Sequence, residues 1–129
     1  MNFSLDPVSR TVMNVHIDAH SPKFEQWFLL SSDRHHDNAH TDWDLEKKHL
    51  DQCVERGAGI IDVGDLFCAM QGKWDKRADR SALREEYQYG QYLDRLVEVA
   101  TDFYSPYARQ FVLIGRGNHE TAICKRHET

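Results

Sequence analysis

Three short apolar runs, separated by segments with helical periodicity, constrain the fold of this chain more than any other feature. The runs cover residues 27–30, 59–63 and 111–114. Continuous apolar runs of this length are typical of strands that are buried on both faces of a sheet. Because the strands alternate with helical segments, the sequence predicts an α/β fold, in which a parallel sheet is connected by helical crossovers.

The segments between the runs carry helix start and stop signals. A helix can begin with a cap at residues 41–42 and end before Gly57. A second helical pattern covers 81–104 and is closed by a Ser-Pro pair. Residues 121–129 have the pattern of the first turns of a third helix. The chain therefore reads as strand, helix, strand, helix, strand, with a further helix after the third strand.

The remaining segments are less regular. Residues 1–10 are predicted to form an irregular arm, and the alternating apolar residues of 11–18 predict a strand with one exposed face. A polar stretch follows the second run, and we interpret 71–91 as an insertion or loop that leads into the long helix. Its basic residues at 73–80 could guide a phosphorylated substrate, although a solvated insertion explains them as well.

Composition limits the class of protein. The 129 residues fit one domain or part of a larger one, and 40% apolar residues suffice for a core. The net charge of -5 argues against binding nucleic acid through bulk positive charge. Three widely spaced cysteines, which form no CxxC pair, favour a reducing compartment. No segment has the length of a membrane span or the pattern of a signal peptide.

Side chains suited to metal binding follow each apolar run. Asp33 and His35 come after the first run, Asp65 after the second and Asn118 after the third. In parallel α/β sheets, ligands bind at the carboxyl ends of the strands, so we expect these residues to converge. Carboxylate, imidazole and amide groups together suit a transition-metal centre better than a calcium or magnesium site.

The spacing within each motif suits two ions. One residue separates Asp33 from His35, so both side chains can reach one ion from the same side of an extended chain. Asp65 can offer one oxygen to each ion, and Asn118 can offer an amide oxygen to the second. His119 would face a substrate, and Glu120 could hydrogen-bond its imidazole and keep it protonated. A pair of ions about 3.5–4 Å apart activates water and neutralises charge on a phosphate.

The three motifs resemble the first signature blocks of a known superfamily. Asp33-Arg34-His35, Gly64-Asp65 and Gly117-Asn118-His119-Glu120 are similar to the D-x-H, G-D and G-N-H-[DE] blocks of calcineurin-like metallophosphoesterases. The extended forms at 32–38 and 64–67 look like those of phage and bacterial members. The resemblance spans about residues 26–128 and identifies 1–129 as a single, partial phosphoesterase domain.

The resemblance implies a β-sandwich flanked by helices, with two divalent ions such as Mn, Fe or Zn. Asp33, His35 and Asp65 would bind the first ion, and Asp65 and Asn118 the second. His119, supported by Glu120, would be the general acid. A metal-bridging hydroxide would attack a phosphomonoester or phosphodiester. From position alone, Arg34 and Arg116 are candidate contacts of the substrate phosphate.

The chain also departs from the family pattern. It has neither the lone downstream His nor the G-H-x-H block that supplies further ligands, so it resembles a truncated, N-terminal half of a phosphoesterase. The alternative is a degenerate module without activity that acts in binding or assembly. Expected partners are a phosphorylated substrate, with nucleic acid as one candidate, and either a second copy or a missing C-terminal half. We expect a cytoplasmic protein of a bacterium or a phage-infected host cell, without membrane contact.

Four polar residues around the first motif receive other interpretations. His36 and His40 are predicted to be solvent-facing loop residues rather than ligands. Asp37 and Asn38 could orient His35 or simply form a turn, and the sequence favours the turn.

Overall fold

The computed structural model describes residues 2–68, 84–87 and 92–127. Within these residues the chain is a small mixed α/β protein with three α-helices and two sheets. The strands are β1 (Phe3–Pro7), β2 (Met13–Ile17), β3 (Phe28–Ser31), β4 (Gly59–Asp62) and β5 (Phe111–Ile114). The helices are α1 (Trp43–Glu55), α2 (Tyr92–Tyr104) and α3 (Asn118–His127), and 3-10 helices cover Glu85–Tyr87 and Ser105–Tyr107.

The three apolar runs form one parallel sheet, as the sequence predicts, and the structure gives the strand order β3-β4-β5. Leu29 lies beside Ile60, and Ile60 lies beside Phe111 in the next strand. Because all three strands point the same way, their carboxyl ends share one edge of the sheet. This edge carries the loops that follow each strand.

The prediction for the amino-terminal arm is wrong. Residues Phe3–Pro7 form β1, which pairs antiparallel with β2 from Phe3↔Ile17 to Pro7↔Met13. The turn closes where Val8 and Ser9 donate backbone hydrogen bonds to the Val12 carbonyl. Phe3, Leu5 and Pro7 alternate with Ser4 and Asp6, so the arm carries the alternation of a strand, which the prediction of an irregular segment overlooked.

The boundaries of α1 follow the predicted signals. The other two helices differ, since Glu85–Tyr87 of the predicted helix 81–104 form a 3-10 helix before α2, and α3 begins at Asn118 rather than at 121. The Asp42 side chain caps α1 by accepting a hydrogen bond from the Leu45 amide, 2.9 Å away. Gly57, just beyond the helix, has a φ of 58°, which a glycine adopts without strain. Most of the predicted insertion 71–91 lies outside the described residues. Among the described helices, none has the length and apolar character needed to cross a membrane.

The main core lies between the sheet and the helices. Leu50 and Cys53 of α1 pack with Ile60 of β4 and with Tyr107, and each of these residues is buried. The sequence predicts burial of all three strands on both faces, and this is wrong at their carboxyl ends, because Ile114 at the end of β5 is 57% exposed and the last side chain of each other run is exposed as well. Leu30 is 74% exposed and Val63, just beyond β4, is 62% exposed. Alternation along the strands puts these two side chains on the face opposite Ile60, so this part of the sheet is open.

Candidate metal centre

Backbone hydrogen bonds join the loops after β3 and β4. The Asp33 amide donates to the Gly64 carbonyl at 3.0 Å, and the His35 amide donates to the Asp65 carbonyl at 3.2 Å. The His36 amide continues the series with a bond of 2.7 Å to the Leu66 carbonyl. These bonds extend the parallel pairing beyond the strands and hold the first two motifs side by side.

Two glycines bring the third motif against the second. Gly64 has a φ of 121°, and a Cβ there would overlap the backbone nitrogen of Gly117. A Cβ on Gly117 would in turn overlap the Asp65 side chain. Glycine is therefore required at both positions, because the two backbones approach more closely than any side chain allows.

Three of the predicted ligands have a left-handed backbone. Asp33, His35 and Asp65 have φ values of 52°, 45° and 54°, and they are the non-glycine residues with positive φ in the described part of the chain. Such conformations cost roughly 1–3 kcal/mol each and cluster at functional sites. All three lie on the loops that meet at the carboxyl edge of the sheet, so the strain falls on the residues that the motifs single out.

Side chains of all three motifs meet at this edge. The His35 and His119 rings are 5.0 Å apart between centroids, with their planes at 67°. Asp33 Oδ1 lies 3.8 Å from His35 Nε2. Asp65 Oδ1 accepts a hydrogen bond of 2.9 Å from the His119 amide, which fixes the Asp65 side chain against the start of α3. The structure thus brings together Asp33, His35, Asp65 and His119.

The outer side of the third motif opens into a cleft. Asn118 and Arg116 are exposed and line a cleft of about 440 Å³ together with Thr121 and Lys125. The predicted second-ion ligand and one predicted phosphate contact therefore share one open cleft. The two cationic side chains give it a positive character that suits an anionic substrate.

Glu120 has a different environment from the one that the sequence predicts. Its Oε2 accepts hydrogen bonds from the Asp65 amide at 3.0 Å and the Gly117 amide at 2.9 Å, and its Oε1 accepts from the Phe67 amide at 3.1 Å. Among the described hydrogen bonds none joins Glu120 to the His119 ring. The Glu120 carboxylate therefore binds backbone amides, whereas the sequence predicts that it pairs with the His119 imidazole.

The structure corrects the prediction that Arg34 contacts a substrate phosphate. The Arg34 side chain is 8% exposed and points into the protein. Its Nε donates to Asp62 at 2.8 Å, one terminal nitrogen donates to Glu46 at 3.1 Å, and the other donates to the Ser31 hydroxyl at 2.9 Å. The Arg34 guanidinium is therefore not available to a substrate, because it is buried and its nitrogens already bind Asp62, Glu46 and Ser31.

His36 is also placed differently from the prediction. It is fully buried, its ring stacks on Trp43 at 4.4 Å, and its Nδ1 lies 3.0 Å from Glu46 Oε2. Tyr104 donates a further hydrogen bond to Glu46. Burial alone would raise the pKa of Glu46. The hydrogen bonds from His36 and Tyr104 and the charges of His36 and Arg34 outweigh burial, so this pKa lies below its ordinary value.

This buried polar group was missed by sequence reasoning, although signals for it exist. Glu46 lies four and seven residues before Leu50 and Cys53, so it shares their buried face of α1. Asp62 stands within an apolar strand and is fully buried. A carboxylate in either place requires a partner, and Arg34 supplies it. Burial would lower the pKa of Arg34, but the hydrogen bond to Asp62 and nearby negative charges raise it.

Asp37 and Asn38 have separate roles. Asn38 forms the predicted turn, because its amide donates to the His35 carbonyl and its side chain accepts from the His40 amide. Asp37 is 1% exposed. Its carboxylate accepts a bond of 2.6 Å from the Cys68 amide and another of 2.6 Å from the Tyr92 hydroxyl. Asp37 therefore ties the loop after β3 to the loop after β4 and to α2.

The donor chemistry of the rim fits divalent cations. Two carboxylates and an imidazole from the loops after β3 and β4 lie on strained backbone at one edge, and Asn118 lines the cleft beside the third motif. Within residues 2–68, 84–87 and 92–127, no group of three or more His, Cys, Asp or Glu side chains is arranged to hold an ion. These residues therefore suit divalent cations in the type of their donor atoms and in the position of their backbone.

Comparison of the chain with models of protein families, with curated proteins and with solved structures gives no match. The resemblance to calcineurin-like metallophosphoesterases therefore rests on the three motifs alone.

Proposed function

We propose that the protein is a metal-dependent phosphoesterase of the calcineurin-like type. The observation that carries the proposal is the meeting of the three motifs at one sheet edge, with Asp33, His35 and Asp65 all in strained left-handed conformations. Backbone strain of this kind persists where the surrounding structure holds the strained residues in place. Here the close glycine contacts and the hydrogen bonds between the loops hold them. The superfamily's sandwich fold is part of the same proposal.

Two divalent cations, such as Mn, Fe or Zn, are the proposed cofactors. Asp33, His35 and Asp65 would hold the first, and Asp65 with Asn118 the second. When bound, the cations supply Lewis-acid activation and neutralise charge on the phosphate. Asp65 suits the shared position because one of its oxygens is fixed by the His119 amide, which holds the carboxylate at the junction of two loops.

His119 is the proposed general acid. Its ring lies next to that of His35, and its amide is anchored on Asp65, so the imidazole is held at the edge where the substrate ester would lie. It would donate a proton to the departing alkoxide oxygen. A positioned general acid contributes about 10²–10⁴-fold to the rate, with the larger effect for poor leaving groups.

The proposed substrate is a phosphomonoester or phosphodiester. Arg116 lines the open cleft beside Asn118 and, with Lys125, provides positive charge for a phosphate. The cleft lies on the outer side of the third motif, so a substrate can enter without displacing the core. A phosphodiester, including one of nucleic acid, is the favoured class because of the basic residues at 73–80 and because the 64–67 block resembles that of the repair nucleases of the superfamily.

Hydrolysis of p-nitrophenyl phosphate and bis(p-nitrophenyl) phosphate with added Mn²⁺ tests the proposal. We expect metal-dependent turnover of at least one ester, which a chelator abolishes. His119→Ala should lose activity toward alkyl esters, which have poor leaving groups, and His49→Ala, which removes an exposed histidine of α1, should not. Absence of turnover with every ester would contradict the proposal and favour a non-catalytic binding module. Full activity of His119→Ala toward alkyl esters would remove His119 as the acid.

A further inference from the structure

Glu120 connects two loops that are distant in the sequence. Its carboxylate accepts from Gly117 at the start of its own helix and from Asp65 and Phe67, which lie 55 and 53 residues earlier. The Glu120 side chain therefore accepts hydrogen bonds from the backbone on both sides of the junction between the second and third motifs.

Helix capping explains one of the three bonds. Glu120 is the third residue of α3, where a glutamate commonly accepts from the amide that precedes the helix, here that of Gly117. The bonds to Asp65 and Phe67 have no such local origin. They require that the loop after β4 presents two amides to the same carboxylate, which a helix cap does not need.

These hydrogen bonds act directly on Asp65, which is a proposed metal ligand. Glu120 holds the Asp65 amide, while Asp65 Oδ1 holds the amide of His119, the neighbour of Glu120. The two carboxylates thus form a reciprocal pair of bonds across the junction. Asp65 stands at a φ of 54°, so its backbone needs an external constraint to remain in place.

We infer that Glu120 is a positioning residue, which sets the place of Asp65 and of the start of α3 and thereby the affinity of the site for metal. The inference rests on the proposed function, because it assigns Glu120 a role at the same site. It replaces the acid–base partnership with His119 that the sequence suggested. Residues that orient metal ligands from behind commonly change metal affinity or activity 10- to 100-fold when they are replaced.

Three variants of the full chain test the inference. Glu120→Gln keeps the size of the side chain but replaces one acceptor oxygen by a donor group, so it cannot serve all three amides. Glu120→Asp keeps the carboxylate on a shorter stem. Glu55→Gln removes the same charge from an exposed position at the end of α1 and is the matched control. Far-UV circular dichroism and a urea midpoint establish that each variant is folded at the assay temperature.

The readouts are Mn²⁺ binding, followed by the electron paramagnetic resonance of free Mn²⁺, and the Mn²⁺ dependence of bis(p-nitrophenyl) phosphate hydrolysis. We expect Glu120→Gln to weaken Mn²⁺ binding about 10- to 100-fold and to regain near wild-type turnover at saturating Mn²⁺. Glu120→Asp should fall between Glu120→Gln and the wild type, and Glu55→Gln should match the wild type. A role in fold stability alone would leave Mn²⁺ affinity unchanged in the folded variants.

Two outcomes overturn the inference and leave the proposed function intact. Wild-type Mn²⁺ affinity and turnover in Glu120→Gln would show that the hydrogen bonds of Glu120 do not position the metal site. Wild-type affinity with lost turnover at every Mn²⁺ concentration would instead assign Glu120 to the chemistry of His119. If Glu120→Gln does not fold, the Mn²⁺ affinity of Glu120→Asp is compared with that of the wild type, and equal affinities overturn the inference. A wild-type chain that neither binds Mn²⁺ nor hydrolyses the ester refutes the proposed function, and the inference with it.

Discussion

Replacing Arg34 by methionine should destabilise the protein severely. The substitution removes the guanidinium from between Asp62, which is fully buried, and Glu46, whose side chain is 7% exposed. It also removes the hydrogen bond to the Ser31 hydroxyl. Breaking a buried ion pair by removing one partner costs about 3–5 kcal/mol, because the remaining charge is buried without compensation. That is a large part of the roughly 5–15 kcal/mol that stabilises a domain.

Urea unfolding followed by circular dichroism measures the effect. With a slope of about 1.5 kcal/mol per molar urea, a loss of 3–5 kcal/mol lowers the midpoint by about 2–3 M. Lys47→Met is the control, since Lys47 pairs with Asp51 on the surface, where both side chains are about half exposed. Its midpoint should stay near the wild-type value. Arg34→Met/Asp62→Asn should recover part of the loss, because the buried carboxylate is gone. A loss below about 1 kcal/mol for Arg34→Met would refute the reasoning.

Three further predictions follow from the same structure. The pKa of Glu46 lies below its ordinary value of 4.5, so its stabilising effect is complete above that pH and is lost as the pH falls through the lower folded-state pKa. Glu46→Gln should therefore flatten the acid limb of a plot of unfolding free energy against pH, and an unchanged limb would contradict this. Gly57→Ala, with a φ of 58° but open space around it, should cost about 1–2 kcal/mol in urea unfolding. Gly64→Ala should cost more, since its Cβ meets the Gly117 backbone, and equal costs would argue against that close approach. Burial raises the pKa of the Cys53 thiol, so partly exposed Cys124 should react first with a thiol reagent in the folded protein. Equal rates would show that Cys53 is accessible.

The positions of β3, β4, β5 and α1 could be predicted because each is encoded locally. Apolar runs locate β3, β4 and β5 to within one residue, and cap signals locate both ends of α1. The hairpin strand β1 was missed although Phe3, Leu5 and Pro7 alternate with polar residues, which is the signal that located β2, a strand that is also largely exposed. Alternation over five residues is a weak signal, whereas continuous apolar runs and helix caps mark an element clearly.

The meeting of the loops that carry the three motifs was predictable, whereas the orientation of their side chains was only partly so. Topology alone implies that Asp33, Asp65 and Asn118 lie at one edge, since each follows a parallel strand. The orientation of individual side chains depends on distant partners. Arg34 turns inward because Asp62 and Glu46 need its charge, and Glu120 turns to the Asp65 and Phe67 amides because the two loops meet there. Such pairings join residues far apart in the chain, so the sequence can indicate that a buried carboxylate needs a partner but not which residue supplies it.

Titration of the ¹⁵N-labelled chain with Mn²⁺, followed by the loss of amide signals in nuclear magnetic resonance spectra, tests the convergence of the three motifs on a shared metal site most directly. Paramagnetic Mn²⁺ broadens the amides nearest to it. We predict that the amides of residues 33–35, 64–66 and 117–119 broaden together at the lowest Mn²⁺ concentrations, and that Asp65→Asn abolishes this pattern. Broadening that spares these three loops, or that begins at other acidic surfaces of the protein, would contradict a common metal site at the edge of the parallel sheet.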